Sequence, residues 1–236
     1  MRRQTPIFIV ASPRPRVGKT LIARVLAEYF RAEGKPVLAY DLNPDGHALL
    51  EHLPALTVSA SIEDIRGQMS LFDQFVVSDQ LPKIVDLAHT QFEKFFTIMH
   101  DIGFTREARR QAIRPVVLFI AHGDTRSQQV YSILQHRFAG LALVPVINEA
   151  VPGAARCRGL FPASGLGGEP LTVPALSAVV RTVIERPGFS FAAYHAKTTD
   201  TTTELYDWTR RVFLKFRELE LQLLLEELKP SLPFQV

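Results

Sequence analysis

Residues 5–20 of this chain read TPIFIVASPRPRVGKT, the stretch of the sequence with the strongest structural signal. Its first half, Ile7–Ala11, is an uninterrupted apolar run with the length of one buried β-strand. Its second half is polar and ends in GKT at 18–20, after which apolar residues recur at helical spacing. The stretch therefore predicts a buried strand, a tight polar turn and an amphipathic helix over Lys19–Glu33.

The rest of the chain alternates short apolar runs with longer amphipathic stretches. The predicted strands are Ile7–Ala11, Val37–Asp41, Ile84–Leu87, Val116–Ala121 and Leu141–Ile147. The later predicted helices are Thr90–Asp101, Thr105–Ile113, Arg126–Arg137, Ala175–Glu185 and Thr203–Leu228. Such alternation predicts a doubly wound α/β fold with a mainly parallel sheet. We expect one domain over 1–202 and a C-terminal helical extension over 203–236.

Composition narrows the class of protein. The chain has 236 residues, of which 47% are apolar and 22% charged, as in ordinary globular proteins. The single cysteine, Cys157, excludes an internal disulfide and a cysteine-rich zinc site. The apolar runs are shorter than the roughly 18 residues of a membrane span, and Ile7–Ala11 is too short for a signal peptide. We therefore expect a soluble, cytoplasmic protein without a transmembrane segment.

The positive charge is concentrated near the N-terminus. The formal net charge is only +3, yet residues 1–35 contain eight basic and two acidic side chains. A basic segment suits phosphate, nucleic acid or an anionic surface. Non-specific DNA contact and a plain solvated face are both open interpretations.

The turn between the first strand and the first helix has the position of a P-loop, G-x-x-x-x-G-K-[ST]. Pro13 stands where the first glycine belongs. Backbone amides at a helix N-terminus can converge on a phosphate, while the lysine neutralises the β- and γ-phosphates and the hydroxyl holds Mg²⁺. The predicted nucleotide-binding residues are Arg16, Val17, Gly18, Lys19 and Thr20.

Two prolines weaken this motif. Pro13 and Pro15 each lack an N–H group and fix φ, so donors are lost and the loop entry stiffens. A helix start that merely contains GKT is the alternative interpretation.

The order strand, VGKT, helix, Gly-Lys-Pro-Val, strand and Asp41-Leu-Asn43-Pro44 resembles the ParA/MinD group of P-loop ATPases. That group reads KGGVGKT in its loop and D-x-D-P-Q after its second strand. The resemblance implies ATP and Mg²⁺ as cofactors and a homodimer that forms around nucleotide. It places Asp41 near the attacking water and Mg²⁺, and the group's signature lysine falls on Arg14. Asn43 and Asp45 depart from the second Asp and the Gln.

The same resemblance assigns two more strand ends. Ile84-Val85-Asp86-Leu87 fits the apolar strand that ends in a Mg²⁺-linked carboxylate, so Asp86 is assigned to the metal together with Thr20 and Asp41. Asp124 competes for this role, but the order of elements favours Asp86. Asn148 resembles the asparagine that holds the adenine edge, and a plain turn residue is the alternative.

The resemblance implies an ATP-binding protein whose nucleotide acts as a switch for dimerisation and a partner. Hydrolysis would be an in-line attack by water, with Lys19, Asp41 and Arg14 as catalytic residues and Arg14 acting across the dimer. One alternative is a non-hydrolysing scaffold, which the prolines favour. Another is an ATP-dependent ligase like dethiobiotin synthetase, whose loop also reads VGKT without the first glycine.

Two apolar stripes follow the C-terminal helix. The first contains Leu205, Trp208, Val212, Phe216, Leu219 and Leu223, and the second contains Leu221, Leu224, Leu225 and Leu228. Glutamates between them oppose binding to anionic lipid. We expect this helix to pack on its own domain or on a partner protein.

Overall fold

A computed structural model describes residues 4–46, 48–138, 141–162, 166 and 169–228. Its strands form one seven-stranded sheet, parallel throughout, in the order β3-β2-β4-β1-β5-β6-β7. The strands are β1 Thr5–Ala11, β2 Leu38–Leu42, β3 Thr57–Ser59, β4 Lys83–Leu87, β5 Ile113–Ile120, β6 Ala142–Asn148 and β7 Leu171–Val173. The chain leaves β1 toward β2 at one edge of the sheet, whereas it leaves the adjacent strand β4 toward β5 on the opposite side. The topological switch point of the sheet therefore lies at the carboxyl ends of these two strands.

Helices cover the sheet. They are α1 Lys19–Ala32, α2 Ala48–His52, α3 Ile65–Phe75, α4 Phe92–Asp101, α5 Phe104–Arg110, α6 Thr125–Arg137, α7 Ala178–Ile184, α8 Phe191–Lys197 and α9 Glu204–Leu228. In the part of the chain described above, no helix combines the length and the hydropathy that crossing a membrane requires.

Strand β1 shows how the two faces of the sheet are buried. Phe8 and Val10 belong to the core that contains α1, α8 and α9, whereas Ile7 and Ile9 belong to the core under α3, α4 and α6. Alternate residues of a strand point to opposite faces, so burial on both faces requires the continuous apolar run seen in the sequence. The doubly wound α/β prediction is confirmed.

Some boundaries differ from the predicted ones. The helix predicted to reach Ile113 ends at Arg110, because Ala112 has a φ of +55° and Ile113 already begins β5. Helix α7 begins at Ala178 because the Ser177 hydroxyl accepts a hydrogen bond from the Val180 amide, which makes it an N-cap. The edge strands β3 and β7 were not predicted, since three residues are too few for a periodic pattern.

Helix α9 packs on the same core as α1. The six residues of its first predicted stripe are at most 5% exposed, and the Trp208 Nε1–H donates to the Pro174 carbonyl at 2.7 Å. In the second stripe Leu221, Leu225 and Leu228 are exposed. The first stripe thus contributes to the core of this chain. Residues 229–236 of the predicted extension lie outside the described residues.

Truncating this contact should measurably weaken the fold. Val212→Ala removes two methyl groups from a side chain that is 1% exposed, and we expect it to lower the free energy of unfolding by about 1–3 kcal/mol. Leu221→Ala, on the same helix but 53% exposed, should change it by less than about 0.5 kcal/mol. Urea denaturation of both variants measures the difference. Equal losses would mean that α9 does not pack on the core in solution.

The basic N-terminal segment is largely occupied by internal contacts. Arg24 is buried and donates to the carbonyls of Ile184 at 2.8 Å and Phe189 at 2.7 Å. Ion pairs join Arg14 to Asp124, Arg31 to Glu28 and Lys35 to Glu220. Arg2 and Arg3 lie outside the described residues. The segment therefore presents less free positive charge than its composition suggests.

Candidate functional site

The predicted site residues follow four strands, β1, β2, β4 and β6, at the carboxyl edge of the sheet. The loop of residues 12–18 leaves β1 and enters α1. The Ser12 hydroxyl donates to the Ile120 carbonyl at 2.9 Å, which fastens the start of the loop to the end of β5. In open α/β sheets ligands bind at this edge, next to the switch point.

The backbone of the loop has the shape of an anion-binding turn. Arg16 and Gly18 have φ of +56° and +89°, with Val17 at an ordinary negative φ between them. Such alternation turns successive amides toward one point. The amides of Gly18, Lys19 and Thr20 donate to no acceptor within the described part of the chain. They are therefore free to receive a phosphate at the start of α1.

Lys19 is held against this loop. Lys19 is largely buried, and its Nζ donates to the Arg14 carbonyl at 2.9 Å. Burial lowers the pKa of Lys19, and the charge of Asp86 partly opposes that shift. An anion bound next to the ammonium would stabilise its charged form.

Thr20 and Asp86 meet across the switch point. The Thr20 hydroxyl donates to Asp86 Oδ2 at 2.7 Å, while Asp86 Oδ1 is buried and has no hydrogen-bond partner among the described residues. Burial raises the pKa of Asp86 to about 6. The hydrogen bond from Thr20 works to lower this pKa, and the charge of Asp41 works to raise it further. A buried carboxylate oxygen without a partner, beside a hydroxyl, fits a hard cation such as Mg²⁺.

This is a site with few protein ligands. The described residues contain no group of three or more His, Cys, Asp or Glu side chains that could hold a metal ion. Mg²⁺ commonly binds through one or two protein oxygens, with water and substrate phosphates completing its octahedron. The pair formed by Thr20 and Asp86 matches that mode rather than an all-protein cage.

Asp41 lies beside Asp86 in the sheet register, but its oxygens are already engaged. Its Oδ1 accepts from the Asn43 backbone amide at 3.1 Å and side-chain amide at 2.6 Å. Its Oδ2 accepts from the amides of Leu49 at 3.0 Å and Leu50 at 3.2 Å, near the start of α2. Contact with water or metal would require one of these four bonds to be exchanged, so the catalytic and metal roles of Asp41 stay predictions.

Asn43 has a role that the motif comparison did not reveal. Its side-chain amide donates both to Asp41 and, at 3.1 Å, to Asp86 Oδ2. An aspartate at this position would add a third carboxylate to two that already repel each other. The sequence signal for this role was the asparagine that replaces the second aspartate of the motif. An amide supplies a hydrogen-bond donor between two carboxylates, which an ionised acid cannot do.

The structure brings Asp86 to Thr20 and places Asp124 elsewhere. Asp124 Oδ1 accepts from the Ser127 amide at 2.7 Å and so caps α6, while its Oδ2 lies 2.6 Å from Arg14 Nε. Arg14 is thus paired within its own chain. Its predicted action across a dimer is untested.

Asn148 supports the loop from behind. Its side-chain amide donates to the Val17 carbonyl at 3.0 Å, and its Oδ1 accepts from the Ala150 amide at 3.1 Å. A Cβ atom on Gly18 would lie 2.5 Å from the same amide nitrogen. Asn148 therefore fixes how closely the loop approaches β6, and its predicted contact with adenine stays a prediction.

Comparison with known proteins supports the fold. No protein-family model matches the sequence, and no curated protein matches it either. Among solved structures, the chain is similar to one titled "Structure of pnob8 ParA", with a TM-score of 0.62 and 11% sequence identity. The match covers 94% of this chain and 99% of the other. The chain therefore has a ParA-like α/β P-loop fold.

Proposed function

We propose that this chain, which has a ParA-like fold, binds ATP with Mg²⁺ at the loop of residues 12–18 and the start of α1. The observation that carries the proposal is the hydrogen bond from Thr20 to Asp86, which joins the start of α1 to the end of β4 and leaves Asp86 Oδ1 without a partner among the described residues. A hydroxyl and a carboxylate placed next to free helix N-terminal amides are the elements that a metal–triphosphate complex requires.

Each group has a distinct task in this proposal. The amides of Arg16, Val17, Gly18, Lys19 and Thr20 hold phosphate oxygens, and the Lys19 ammonium neutralises their charge. Thr20 and Asp86 would hold Mg²⁺. When bound, this ion neutralises charge on the β- and γ-phosphates. Asn148, at the end of β6, would contact the edge of the adenine, as the family resemblance implies.

Slow turnover is the second candidate, and two features favour it. Asp41 already accepts four hydrogen bonds, and Pro13 and Pro15 remove two amides from the loop. The first leaves Asp41 less available to orient water and the second removes amide donors from the loop, while Lys19, Thr20 and Asp86 all remain at the site. A protein that binds ATP tightly and hydrolyses it slowly is therefore compatible with the site.

The cellular role is proposed by analogy. One solved structure with a similar fold is titled as a ParA. Together with the resemblance of the loop to the ParA/MinD group, this likeness leads us to propose a nucleotide-controlled switch in which two copies of this chain associate when ATP is bound. The exposed face of α9 with Leu221, Leu225 and Leu228 is the surface we propose for a protein partner. Non-specific DNA contact and a cytoplasmic location stay predictions.

Thermal unfolding with ATP and Mg²⁺, with ADP and without ligand tests the binding proposal. At an ATP concentration of about 100 times Kd, a ligand that binds only the folded state stabilises it by about 2.7 kcal/mol. Lys19→Ala should abolish that gain. Lys94→Ala removes a partly exposed lysine of α4 that is paired with Glu63, and this variant should retain the gain. Equal responses of Lys19→Ala and Lys94→Ala to ATP would rule out this loop as the binding site.

A further inference from the structure

The ion pair between Arg14 and Asp124 connects the loop to a distant part of the chain. Arg14 Nε lies 2.6 Å from Asp124 Oδ2, although the two residues are far apart in sequence. The main-chain carbonyl of Arg14 also accepts the hydrogen bond from Lys19 Nζ. Arg14 is therefore joined to the proposed phosphate site through its backbone and to α6 through its side chain.

Asp124 is well suited to hold a cation. Burial works to raise the pKa of Asp124, but the contacts with Arg14 and the Ser127 amide outweigh it, so the pKa falls to about 2. The carboxylate is therefore ionised throughout the neutral range. His122 Nδ1 also lies 2.6 Å from Asp124 Oδ2. Asp124 thus keeps His122 and the Ser127 amide as polar neighbours when Arg14 leaves, which lowers the cost of releasing the guanidinium.

The ion pair is weak enough to be exchanged. The side chains of Arg14 and Asp124 are 34% and 25% exposed. The attraction within an ion pair that is this accessible to solvent changes a binding or folding equilibrium constant by at most about fivefold. A triphosphate carries several negative charges and hydrogen-bond acceptors for the same guanidinium, so it can compete with one carboxylate.

We propose that Asp124 is a positioning residue that retains Arg14 within its own chain in the nucleotide-free state, and that the phosphates of bound ATP compete with Asp124 for this guanidinium. The inference rests on the proposed ATP site and adds its regulation. Releasing Arg14 from Asp124 should therefore increase the apparent affinity for ATP, and the increase should depend on Arg14.

Asp124→Asn tests the inference because asparagine preserves the N-cap and removes the charge. Asp64→Asn is the matched control, since Asp64 caps α3 through Oδ1 and the Gly67 amide at 2.7 Å, with no ion pair among the described residues. Isothermal titration with ATP and MgCl₂ should show up to about fivefold tighter binding for Asp124→Asn and no change for Asp64→Asn. The gain should shrink between 50 and 500 mM NaCl, because salt screens exposed charges.

The Arg14→Gln background separates this effect from a merely structural one. There, Asp124→Asn should leave the ATP affinity unchanged. Weaker or equal binding by Asp124→Asn, or an equal gain in both backgrounds, would overturn the inference while leaving the ATP site intact. If the unmodified protein releases no heat with ATP, the proposed function and the inference fail together. If only Lys19→Ala loses binding and Asp124→Asn behaves like Asp64→Asn, the inference alone fails.

Discussion

Gly18→Ala is expected to lower the free energy of unfolding by about 2–5 kcal/mol and to abolish ATP binding. Gly18 has a φ of +89°, where a residue with a Cβ atom costs about 1–2 kcal/mol. The new Cβ would also lie 2.5 Å from Nδ2 of the buried Asn148, and overpacking of this kind costs about 1–3 kcal/mol. The loop must move to relieve this overlap, and its amides then no longer converge.

Gly34→Ala separates the two causes. Gly34 also has a positive φ, +67°, at the other end of α1, but an added Cβ would meet no atom within 4 Å. Its loss should be only about 1–2 kcal/mol, with ATP binding intact. Urea denaturation and titration calorimetry on both variants measure the stability and the affinity. If Gly18→Ala costs no more than Gly34→Ala and still binds ATP, the close approach to Asn148 does not shape the site.

Asp86→Asn should have opposite effects on the free chain and on nucleotide binding. The ordinary pKa of 3.8 is raised to about 6 in the folded chain, so ionised Asp86 destabilises the fold at neutral pH. At about 1.36 kcal/mol per pKa unit, this penalty is at most about 3 kcal/mol. The amide resembles the protonated acid, so we expect the variant to be about 1–3 kcal/mol more stable at pH 7.5 without Mg²⁺.

The pH dependence has a definite sign. Because the folded-state pKa of Asp86 lies above its ordinary value, the penalty is absent below about pH 4, grows between about pH 4 and 6, and is complete above. The difference in stability between Asp86→Asn and the unmodified chain should follow that curve. Asp73→Asn, which replaces an exposed aspartate of α3, is the surface control for this comparison. A destabilised Asp86→Asn at pH 7.5 would contradict the penalty that we infer from the burial of the ionised carboxylate.

With Mg²⁺ and ATP present, the order should reverse. Removing the carboxylate that faces the cation should weaken Mg²⁺-dependent ATP binding by at least about tenfold. Mutation of residues that only hydrogen-bond to metal ligands already lowers metal affinity by that factor. Binding measured in EDTA should change much less. Equal losses with and without Mg²⁺ would show that Asp86 affects the loop and does not hold the ion.

Local sequence was sufficient for the strands and the loop, because their signals are local. A strand buried on both faces needs a continuous apolar run, and Ile7–Ala11 and Val116–Ala121 supply such runs. A left-handed position before a helix favours glycine, and Gly18 occupies it. The edge strand Thr57–Ser59 escaped prediction because three residues, partly exposed, carry no period.

The side-chain partners could not be predicted in the same way. Asn148 meets Val17, and Asp124 meets Arg14, only because parallel strands align their carboxyl ends. No spacing rule relates residues more than a hundred positions apart. The apolar period of α9 likewise predicted a buried stripe, but the sequence left open whether that stripe packs on its own domain or on a partner.

Short segments were therefore enough to predict the class of fold, the position of the loop and Lys19, Thr20 and Asp86 as candidate ligands. The packing of the whole chain was needed to show that Thr20 faces Asp86, that Asp41 already accepts hydrogen bonds from four donors and that Arg14 is paired with Asp124. The physical reason is that hydrogen bonds and ion pairs depend on distances of a few ångströms, which the packing of separate strands sets.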